Sequence, residues 1–298
     1  MELNKITEEC YFFHSPVNVG YIRKGSTGIL IDAGLDSSAS KKVIRQLDER
    51  NWPLTHLLIT HAHADHFGGA YKILTKRKII TLAPEVEADV LRYPKWEPIY
   101  LFQGNEPHES LRNKFIEGQA VQVDEYCHEG PIELGEISIE CVSLPGHAEN
   151  QMGVIYEGIL FAADAYMSIE TLNKHRIPYL VDLGRTLDSL KKMLELPVRG
   201  AVPGHGIFEE SFKETIQDNI QFHEDILSRI ANILKDESNG LSHEQMIQKV
   251  CQEWNIELKA LPQWALYRTA ITSYLHYLAQ TGRVNMFIKQ NMLWFIHK

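Results

Sequence analysis

Three histidines and an aspartate stand within six positions of the sequence, in the stretch HAHADH at residues 61–66. The apolar run LLIT precedes them, and two glycines follow shortly after. The i, i+2 spacing places His61 and His63 on the same side of an extended segment, and Asp65 suits the N-terminus of a following helix that also contains His66. Imidazole and carboxylate groups that converge in this way favour zinc, iron or manganese. The stretch therefore predicts a metal site at the end of a buried strand.

Three further candidate ligands each follow an apolar run that predicts a strand: His147 in VSLPGH, Asp164 in ILFAAD and His205 in GAVPGH. With the first cluster they make five histidines and two aspartates, enough for two metals and an open position for a water. Two divalent cations that flank one water lower its pKa and supply hydroxide near neutral pH, and the cation facing the substrate stabilises the developing oxyanion. The expected reaction is hydrolysis of an ester, thioester, lactone, amide or phosphodiester, and the ligands alone do not choose among these bonds.

The gapless HxHxDH motif and the later His, Asp and His, in that order, resemble the metallo-β-lactamase superfamily of hydrolases over about residues 10–208. The resemblance implies two groups of three ligands, one for each metal: His61, His63 and His147, and then Asp65, His66 and His205. It implies that Asp164 bridges the metals and that Asp32, in IDAG, supports the site from beneath. The implied cofactors are two divalent ions, with Zn²⁺ expected and iron or manganese as the alternatives. Asp65 is the expected catalytic residue, because a metal-bound carboxylate can orient the hydroxide and then pass its proton to the leaving group.

The resemblance also implies an α/β fold, the four-layer αβ/βα sandwich, with the site at the sheet edges. Substrate contacts are expected in the loops around the site. Tyr166, two residues past Asp164, is a candidate for a hydrogen bond to a carbonyl oxygen, as tyrosines near this place make in lactone-cleaving relatives; a structural role is the alternative. Residues 93–117 bring aromatic side chains into an insert with little periodicity, and both a lid over the substrate and a packed surface loop fit this pattern.

The elements that must position these residues alternate between short strands and helices. Apolar runs predict strands, among them LTHLLIT, KIITLA and the hairpin MGVIYEGILFAADA, which turns at Glu157-Gly158. Residues 37–50 predict a helix whose opening serines cap its free N–H groups. A second sheet is expected to begin at about residue 119 with AVQVDEY. Strand clusters interleaved with helices predict two packed sheets covered by helices on the outside.

The composition changes near residue 209, which predicts a catalytic domain over 1–208 and a C-terminal domain over 209–298. The C-terminal part contains three predicted helices, the second opening with a capping box of Ser242 and Gln245, and then a predicted hairpin around KQN. Three helices followed by a hairpin is the order of a winged helix. This part resembles the helical, winged-helix-like appendix of a subset of the superfamily, one branch of which cleaves single-stranded RNA.

The charge and composition reduce the range of partners that the protein is expected to bind. The formal net charge is −9, and residues 209–298 hold eleven Asp and Glu against nine Lys and Arg. A winged helix that binds nucleic acid carries a basic face, so nucleic acid is disfavoured and a small-molecule substrate is expected. No secretory signal, no apolar run long enough for a membrane helix and no CxxC pair among the four cysteines are found. A cytoplasmic protein with free thiols and no membrane partner is therefore expected.

The leading hypothesis is a hydrolase that uses two zinc ions and a bridging hydroxide to cleave an ester-, thioester- or lactone-type bond in a small molecule. One alternative is a metal-dependent endoribonuclease acting on single-stranded RNA, which the winged-helix order supports. Another is a dioxygenase with a single iron held by His61, His147 and Asp164, as some relatives in this fold use iron. The C-terminal part is expected to pack against the catalytic domain or to make a homodimer contact.

Overall fold

The computed structural model describes residues 1–298 and contains three β-sheets. The first sheet has seven strands in chain order: β1 (Glu2–Lys5), β2 (Cys10–His14), β3 (Val19–Lys24), β4 (Thr27–Ile31), β5 (His56–Leu58), β6 (Ile80–Ala83) and β7 (Glu125–Tyr126). Strands β1 to β4 are antiparallel, whereas β4 to β7 are parallel. Five helices accompany this sheet: α1 (Ser37–Glu49), α2 (Ala64–Phe67), α3 (Ala70–Leu74), α4 (Glu85–Arg92) and α5 (Trp96–Leu101).

The second sheet has five strands: β8 (Gly130–Leu134), β9 (Ile137–Ser143), β10 (Met152–Tyr156), β11 (Ile159–Ala163) and β12 (Gly200–Pro203). Strands β8 to β11 form an antiparallel meander, and β12 lies parallel to β11 at the edge. Helices α6 (Ile169–His175) and α7 (Leu183–Glu195) connect β11 to β12. The hairpin between β10 and β11 turns at Glu157-Gly158, as predicted, and both residues have positive φ, which is typical of a two-residue type I′ turn.

The alternating direction of the side chains along each strand explains how the sheets and helices form layers. In β4, Ile29 and Ile31 belong to the buried cluster between the two sheets, whereas Leu30 belongs to the cluster beneath the helices of the first sheet. In β11, Phe161 points into the cluster between the sheets, and Leu160 joins the cluster on the opposite face. Successive side chains of a strand point to opposite faces, so each sheet is covered on both sides. The predicted four-layer αβ/βα sandwich is therefore confirmed.

The C-terminal region is mostly helical. It contains α8 (Phe212–Lys235), α9 (His243–Glu253), α10 (Leu261–Gln280) and a third sheet of β13 (Leu241–Ser242), β14 (Val284–Lys289) and β15 (Met292–His297). The capping box at Ser242 and Gln245 is confirmed at the start of α9. The largest buried cluster joins Leu187 and Leu190 of α7 to Ile226 of α8 and Tyr274 of α10, so this region shares a core with the second sheet. None of the helices is both long and apolar enough to cross a membrane.

Two local predictions are wrong. The stretch AVQVDEY does not open the second sheet, because only Glu125–Tyr126 forms a strand, and that strand extends the first sheet beside β6. The two residues lie at the edge of the first sheet. Their position is determined by pairing with the neighbouring strand β6, and their hydropathy does not reveal it. The serines at the start of α1 do not cap it; Asp36 does, since its Oδ1 accepts hydrogen bonds from the N–H groups of Ser38 and Ala39.

Candidate metal centre

The candidate ligands lie on loops that follow strands, at one end of the two sheets. His61 and His63 come just after β5, and Asp65 and His66 lie in the single turn of α2. The other three follow the strands of the second sheet: His147 after β9, Asp164 after β11 and His205 after β12. Because β4, β5 and β6 run parallel, the loops that leave their carboxyl ends meet at one edge, where α/β proteins bind their ligands.

The side chains of all seven candidates converge. Three groups each have their ligand atoms within 4.8 Å of one another: His61, His63 and His147; His61, His66 and Asp164; and Asp65, His66 and His205. Asp164 lies at the centre, since its Oδ2 is 3.4 Å from His147 Nε2 and 3.3 Å from His205 Nε2. Its Oδ1 is 3.3 Å from His66 Nε2. The Asp164 carboxylate thus faces His147 of the first group and His66 and His205 of the third group.

Three buried polar atoms at this centre have no hydrogen-bond partner: His61 Nε2, His66 Nε2 and Asp164 Oδ1. Buried polar atoms in folded proteins are paired in the great majority of cases, so three unpaired atoms that face one point need an explanation. A cation supplies it, because imidazole nitrogens and carboxylate oxygens are ligands of zinc and of other divalent transition metals. The residues present therefore fit a metal site.

Hydrogen bonds fix the outer nitrogen of several of these imidazoles. His66 Nδ1–H donates to Asp32 Oδ2 over 2.8 Å, and the other oxygen of Asp32 accepts the Thr60 N–H at 2.8 Å. His147 Nδ1–H donates to the Tyr179 carbonyl at 3.0 Å. Such partners set the tautomer and the ring orientation of a ligating histidine, and leave its second nitrogen free to bind a metal. Asp32 was expected to support the site, and its hydrogen bond to the His66 ring agrees with that expectation.

A buried carboxylate, Glu87 of α4, ties the two ligand loops together. Its Oε2 accepts the Ala62 N–H and its Oε1 accepts the Asn150 N–H, each at 2.8 Å. Ala62 lies between the first two histidines of the motif, and Asn150 follows the loop that carries His147. Burial raises the pKa of Glu87, although both backbone hydrogen bonds oppose this shift. The side chain thus holds the loop from the first sheet against the loop from the second.

The pKa shifts divide the histidines into two sets. Burial lowers the pKa of His61 and His147, and it lowers that of His63 to about 3, so these rings are neutral and can donate a lone pair. Asp164 outweighs burial at His205 and raises its pKa to about 10. At His66, burial lowers the pKa, but the carboxylates of Asp164, Asp32 and Asp65 together raise it well above the ordinary value. A metal needs neutral imidazole, so binding at this second set releases protons.

A cavity of about 640 Å³ opens beside the convergent ligands. The insert at residues 93–117 contributes Glu97, Phe115 and Ile116 to its wall, and α10 contributes Leu266. Behind this wall, a small buried cluster of Leu101, Leu111, Ile116 and Ala265 fastens the insert to α10. The volume is within the range of small-molecule sites. The insert and the C-terminal region therefore enclose the space in which a substrate would lie.

Tyr166 is not placed on this cavity. Its side chain is 2% exposed, its ring packs near Phe212, and its hydroxyl lies 3.5 Å from Glu209 Oε1. The tyrosine that does line the cavity is Tyr179, whose hydroxyl is 3.2 Å from that of Tyr100. Sequence reasoning missed Tyr179, and no motif surrounds it in HRIPYL that would have revealed it.

Sequence reasoning also missed Glu97, whose carboxylate lies in α5, 3.8 Å from His63 Nε2. Burial raises the pKa of Glu97 well above its ordinary value. A single glutamate inside an insert carries no local signal, because only the folded chain brings it to the histidine.

Comparison with known proteins gives the same fold. A family model described as Metallo-beta-lactamase superfamily matches residues 14–205. The Lactamase-like protein aptB of Emericella nidulans is 23% identical over 74% of this chain and 60% of its own length. A hydroxyacylglutathione hydrolase of Nitrobacter hamburgensis is 28% identical over 46% of this chain and 44% of its own length. The chain thus spans less than two thirds of the length of these curated relatives.

Among solved structures, a beta-lactamase domain protein from Burkholderia ambifaria is similar over 100% of this chain and 94% of its own, with a TM-score of 0.75 and 16% identity. At this identity, the likeness supports the fold alone. It extends over the C-terminal helices as well as the sandwich.

Proposed function

The chain belongs to the metallo-β-lactamase superfamily, and from that premise we propose that it is a hydrolase with two divalent metal ions that cleaves an ester, thioester or lactone bond in a small molecule. One observation carries the proposal: the Asp164 carboxylate lies within 3.4 Å of His147 and His205, while its own buried Oδ1 has no hydrogen-bond partner. A group so placed is suited to bridge two cations.

The proposed ligands form two sets with a shared member. His61, His63 and His147 would hold one metal, Asp65, His66 and His205 the other, and Asp164 would contact both. Zinc is the proposed metal, because five imidazoles and two carboxylates are ligands that it accepts. When bound, the ions would lower the pKa of a water and polarise the carbonyl group of the substrate.

The side chains of this chain have distinct roles in the proposed reaction. The water oxygen adds to the carbonyl carbon, the acyl–oxygen or acyl–sulfur bond breaks, and a proton passes to the leaving group. Asp65 is the proposed carrier of that proton, since it lines the cavity and its Oδ2 lies 3.5 Å from His205 Nε2. His66 and His205 outweigh burial and lower the pKa of Asp65 to about 2, which keeps the carboxylate ionised and able to orient the water. Tyr179 replaces Tyr166 as the candidate hydrogen-bond donor to the substrate, because it lines the cavity.

A metal-dependent endoribonuclease is the second candidate function. The element order supports it, since α8, α9 and α10 are followed by the β14–β15 hairpin and β13 pairs with β15, which is winged-helix-like. For either candidate function, the proposed domains are a catalytic domain over residues 1–208 and a winged-helix-like domain over residues 209–298. The net charge of −2 over 209–298 weighs against it.

One experiment separates the candidate functions. The purified protein is analysed for its metal content and incubated with neutral esters, thioesters, lactones and labelled single-stranded RNA, alongside His63→Ala. We expect about two zinc ions per chain and metal-dependent cleavage of a small acyl compound that the variant loses. Cleavage of RNA alone, lost in the same variant, would establish the ribonuclease instead. A single iron with oxygen consumption would establish the dioxygenase alternative with His61, His147 and Asp164.

Location and assembly are parts of the same proposal. All four cysteines are buried and unpaired, which supports a reducing compartment, the cytoplasm. A homodimer contact through the C-terminal region stays a prediction, and light scattering of the purified protein tests it.

A further inference from the structure

The wall of the cavity beside the candidate metal centre contains no lysine or arginine among its fifteen residues. Apart from the candidate metal ligands, its polar side chains are Glu97, which is 6% exposed, Asn113, His175, Tyr179 and Gln263. Asn113, Tyr179 and Gln263 are uncharged, and burial lowers the pKa of His175. A carboxylate or phosphate placed away from the metals would therefore meet neutral hydrogen-bond donors on the wall, and no lysine or arginine.

Two basic residues of the insert lie next to or near lining residues along the chain and pair with carboxylates. Lys114 stands between two lining residues, but its Nζ lies 2.9 Å from Asp36 Oδ2. Arg112 makes two hydrogen bonds, of 2.8 and 2.9 Å, to the carboxylate of Glu117. Either side chain would have to give up its carboxylate partner before it could bind an anion in the cavity.

Lys174 and Arg176, which flank the lining residue His175, are not part of the wall. Arg176 donates to the Trp254 and Asn255 carbonyls, and Lys174 is exposed.

On α10, the basic side chain nearest the wall is also engaged. Arg268 follows Leu266 by two residues, and its guanidinium lies over the Trp264 ring, with Glu244 3.7 Å away. None of these three cations of the insert and α10 is part of the cavity wall. Lys114 is the one that comes nearest, because its Nζ also lies 5.3 Å from the centroid of the Phe115 ring.

Apolar side chains form another part of the wall. Ile116, Met167 and Leu266 line it, and the ring of Phe115 lies on it although its side chain is 63% exposed. An exposed aromatic ring beside an apolar cavity is a surface that a ligand can cover. Burying apolar area against these side chains is the favourable interaction that the cavity offers.

We propose that this cavity selects an uncharged acyl compound with an apolar chain, and disfavours compounds that carry a carboxylate or phosphate away from the reacting bond. The proposal rests on the proposed hydrolase function, because it assigns the substrate class of the same site. An anion on this wall would lose part of its hydration without gaining a lysine or arginine as a partner, so the charge lowers affinity. Glutathione thioesters, which carry carboxylates remote from the thioester, belong to the disfavoured class.

Matched esters test the proposal. The zinc-loaded protein is assayed with a p-nitrophenyl ester of a simple fatty acid and with its twin, which ends in a carboxylate at the far end of an acyl chain of equal length. We expect the neutral ester to have a kcat/KM higher by roughly tenfold or more. S-lactoylglutathione, compared with a neutral thioester of the same acyl group, should show the same order. Equal or faster cleavage of the charged compounds would overturn the proposal.

A single substitution should change this preference. Leu266→Lys places a cation on the cavity wall, and Leu266→Met is the neutral control of similar length. We expect Leu266→Lys to reduce the neutral-to-charged ratio of kcat/KM by about tenfold relative to Leu266→Met, since the charge then has a partner. An unchanged ratio in a folded Leu266→Lys protein would contradict the assignment of this wall.

A binding measurement distinguishes a failure of this substrate class from a failure of the proposed hydrolase function. The amide analogue of the neutral ester and its carboxylate twin are titrated calorimetrically into the zinc-loaded protein. Tighter binding of the neutral amide supports the substrate class even if no ester is cleaved, in which case only the hydrolase function fails. Tighter binding of the charged amide would overturn the substrate class whatever the outcome of the assays.

Discussion

At the scale of single residues, Asp164 is the side chain that both groups of histidines share. Its two oxygens lie within 3.4 Å of His66, His147 and His205. We expect Asp164→Ala to lower kcat by more than about 100-fold, because the proposed bridging ligand would be lost, and even residues that only support a ligand contribute about 10- to 100-fold. The fold should remain, since the ligands lie on loops beyond the strands.

Circular dichroism and thermal unfolding check the fold, and Asp188→Ala is the matched control. Asp188 lies on α7, and its side chain is 81% exposed. This control should keep the wild-type rate. Wild-type turnover in Asp164→Ala would refute the bridging role.

Asp32 is positioned to act on the proposed metal through His66. Its Oδ2 accepts the Nδ1–H of His66 at 2.8 Å, which favours the tautomer with a free Nε2. We expect Asp32→Asn to weaken metal binding by about 10- to 100-fold, measured by competition with a chromogenic chelator. Asparagine is the matched replacement, because Asp32 has a φ of 65° and asparagine tolerates this region. An unchanged dissociation constant for the metal would show that the hydrogen bond orients the ring without affecting metal binding.

The sequence predicted these residues to different degrees. The seven candidate ligands could be foreseen because each follows an apolar strand and because HxHxDH is a gapless motif. Glu87 and Glu97 could not, since a glutamate on a helix reaches the site only through the tertiary packing of α4 and α5. Tyr166 shows the converse: a place close to a ligand in sequence does not decide which way a side chain points, and this one turns towards Glu209.

At the scale of elements, the insert at residues 93–117 is held by packing against α10. Leu111 is fully buried in the small cluster with Leu101, Ile116 and Ala265. We expect Leu111→Ala to leave a cavity that costs about 2–5 kcal/mol of packing, and the loss should be concentrated in the insert. Because Ile116 also lines the substrate cavity, KM should rise more than kcat falls.

Limited proteolysis of the insert and steady-state kinetics measure these effects. Leu47→Ala is the matched control, since Leu47 of α1 is equally buried but lies in the cluster beneath the first sheet. That variant should lower the free energy of unfolding without raising KM. A KM that rises equally in both variants would mean that general destabilisation is responsible.

Element positions were predictable where the local pattern is strong. The two-residue turn at Glu157-Gly158 and the capping box at Ser242 are local interactions, so their residues suffice to specify them. The place of β7 was not predictable, because a two-residue edge strand is defined by its partner. The role of the insert was left open for the same reason. The insert forms a cavity wall only together with α10, and the sequence does not show that the two are in contact.

At the scale of the whole molecule, the second sheet and the C-terminal helices share one core. Leu187 of α7, Ile226 of α8 and Tyr274 of α10 belong to the same buried cluster. Side chains that share a core lose their packing together, so both regions should unfold in one transition. Stability measured on the whole chain therefore reports on the contact between them.

His223 makes that contact sensitive to pH. It lies on α8, is buried, and its Nδ1 is 2.6 Å from the Tyr274 hydroxyl of α10. Burial lowers the pKa of His223 to about 4 in the folded protein, whereas in the unfolded chain it has its ordinary value of about 6.5. Below pH 6.5 the unfolded chain therefore binds a proton that the folded chain does not. The contribution of His223 to stability is complete above pH 6.5 and is lost as the pH falls towards 4.

The variant His223→Gln should remove this dependence, because glutamine hydrogen-bonds to Tyr274 but does not titrate. We expect wild type to lose about 2 kcal/mol more free energy of unfolding than the variant between pH 7.5 and pH 5. Urea unfolding of both proteins at both pH values measures it. Protonation of the metal-binding histidines affects the two proteins alike, so it cancels in the double difference. Parallel pH profiles would show that His223 takes up its proton in the folded protein as readily as in the unfolded chain, and that its burial between α8 and α10 is looser than the structure has it.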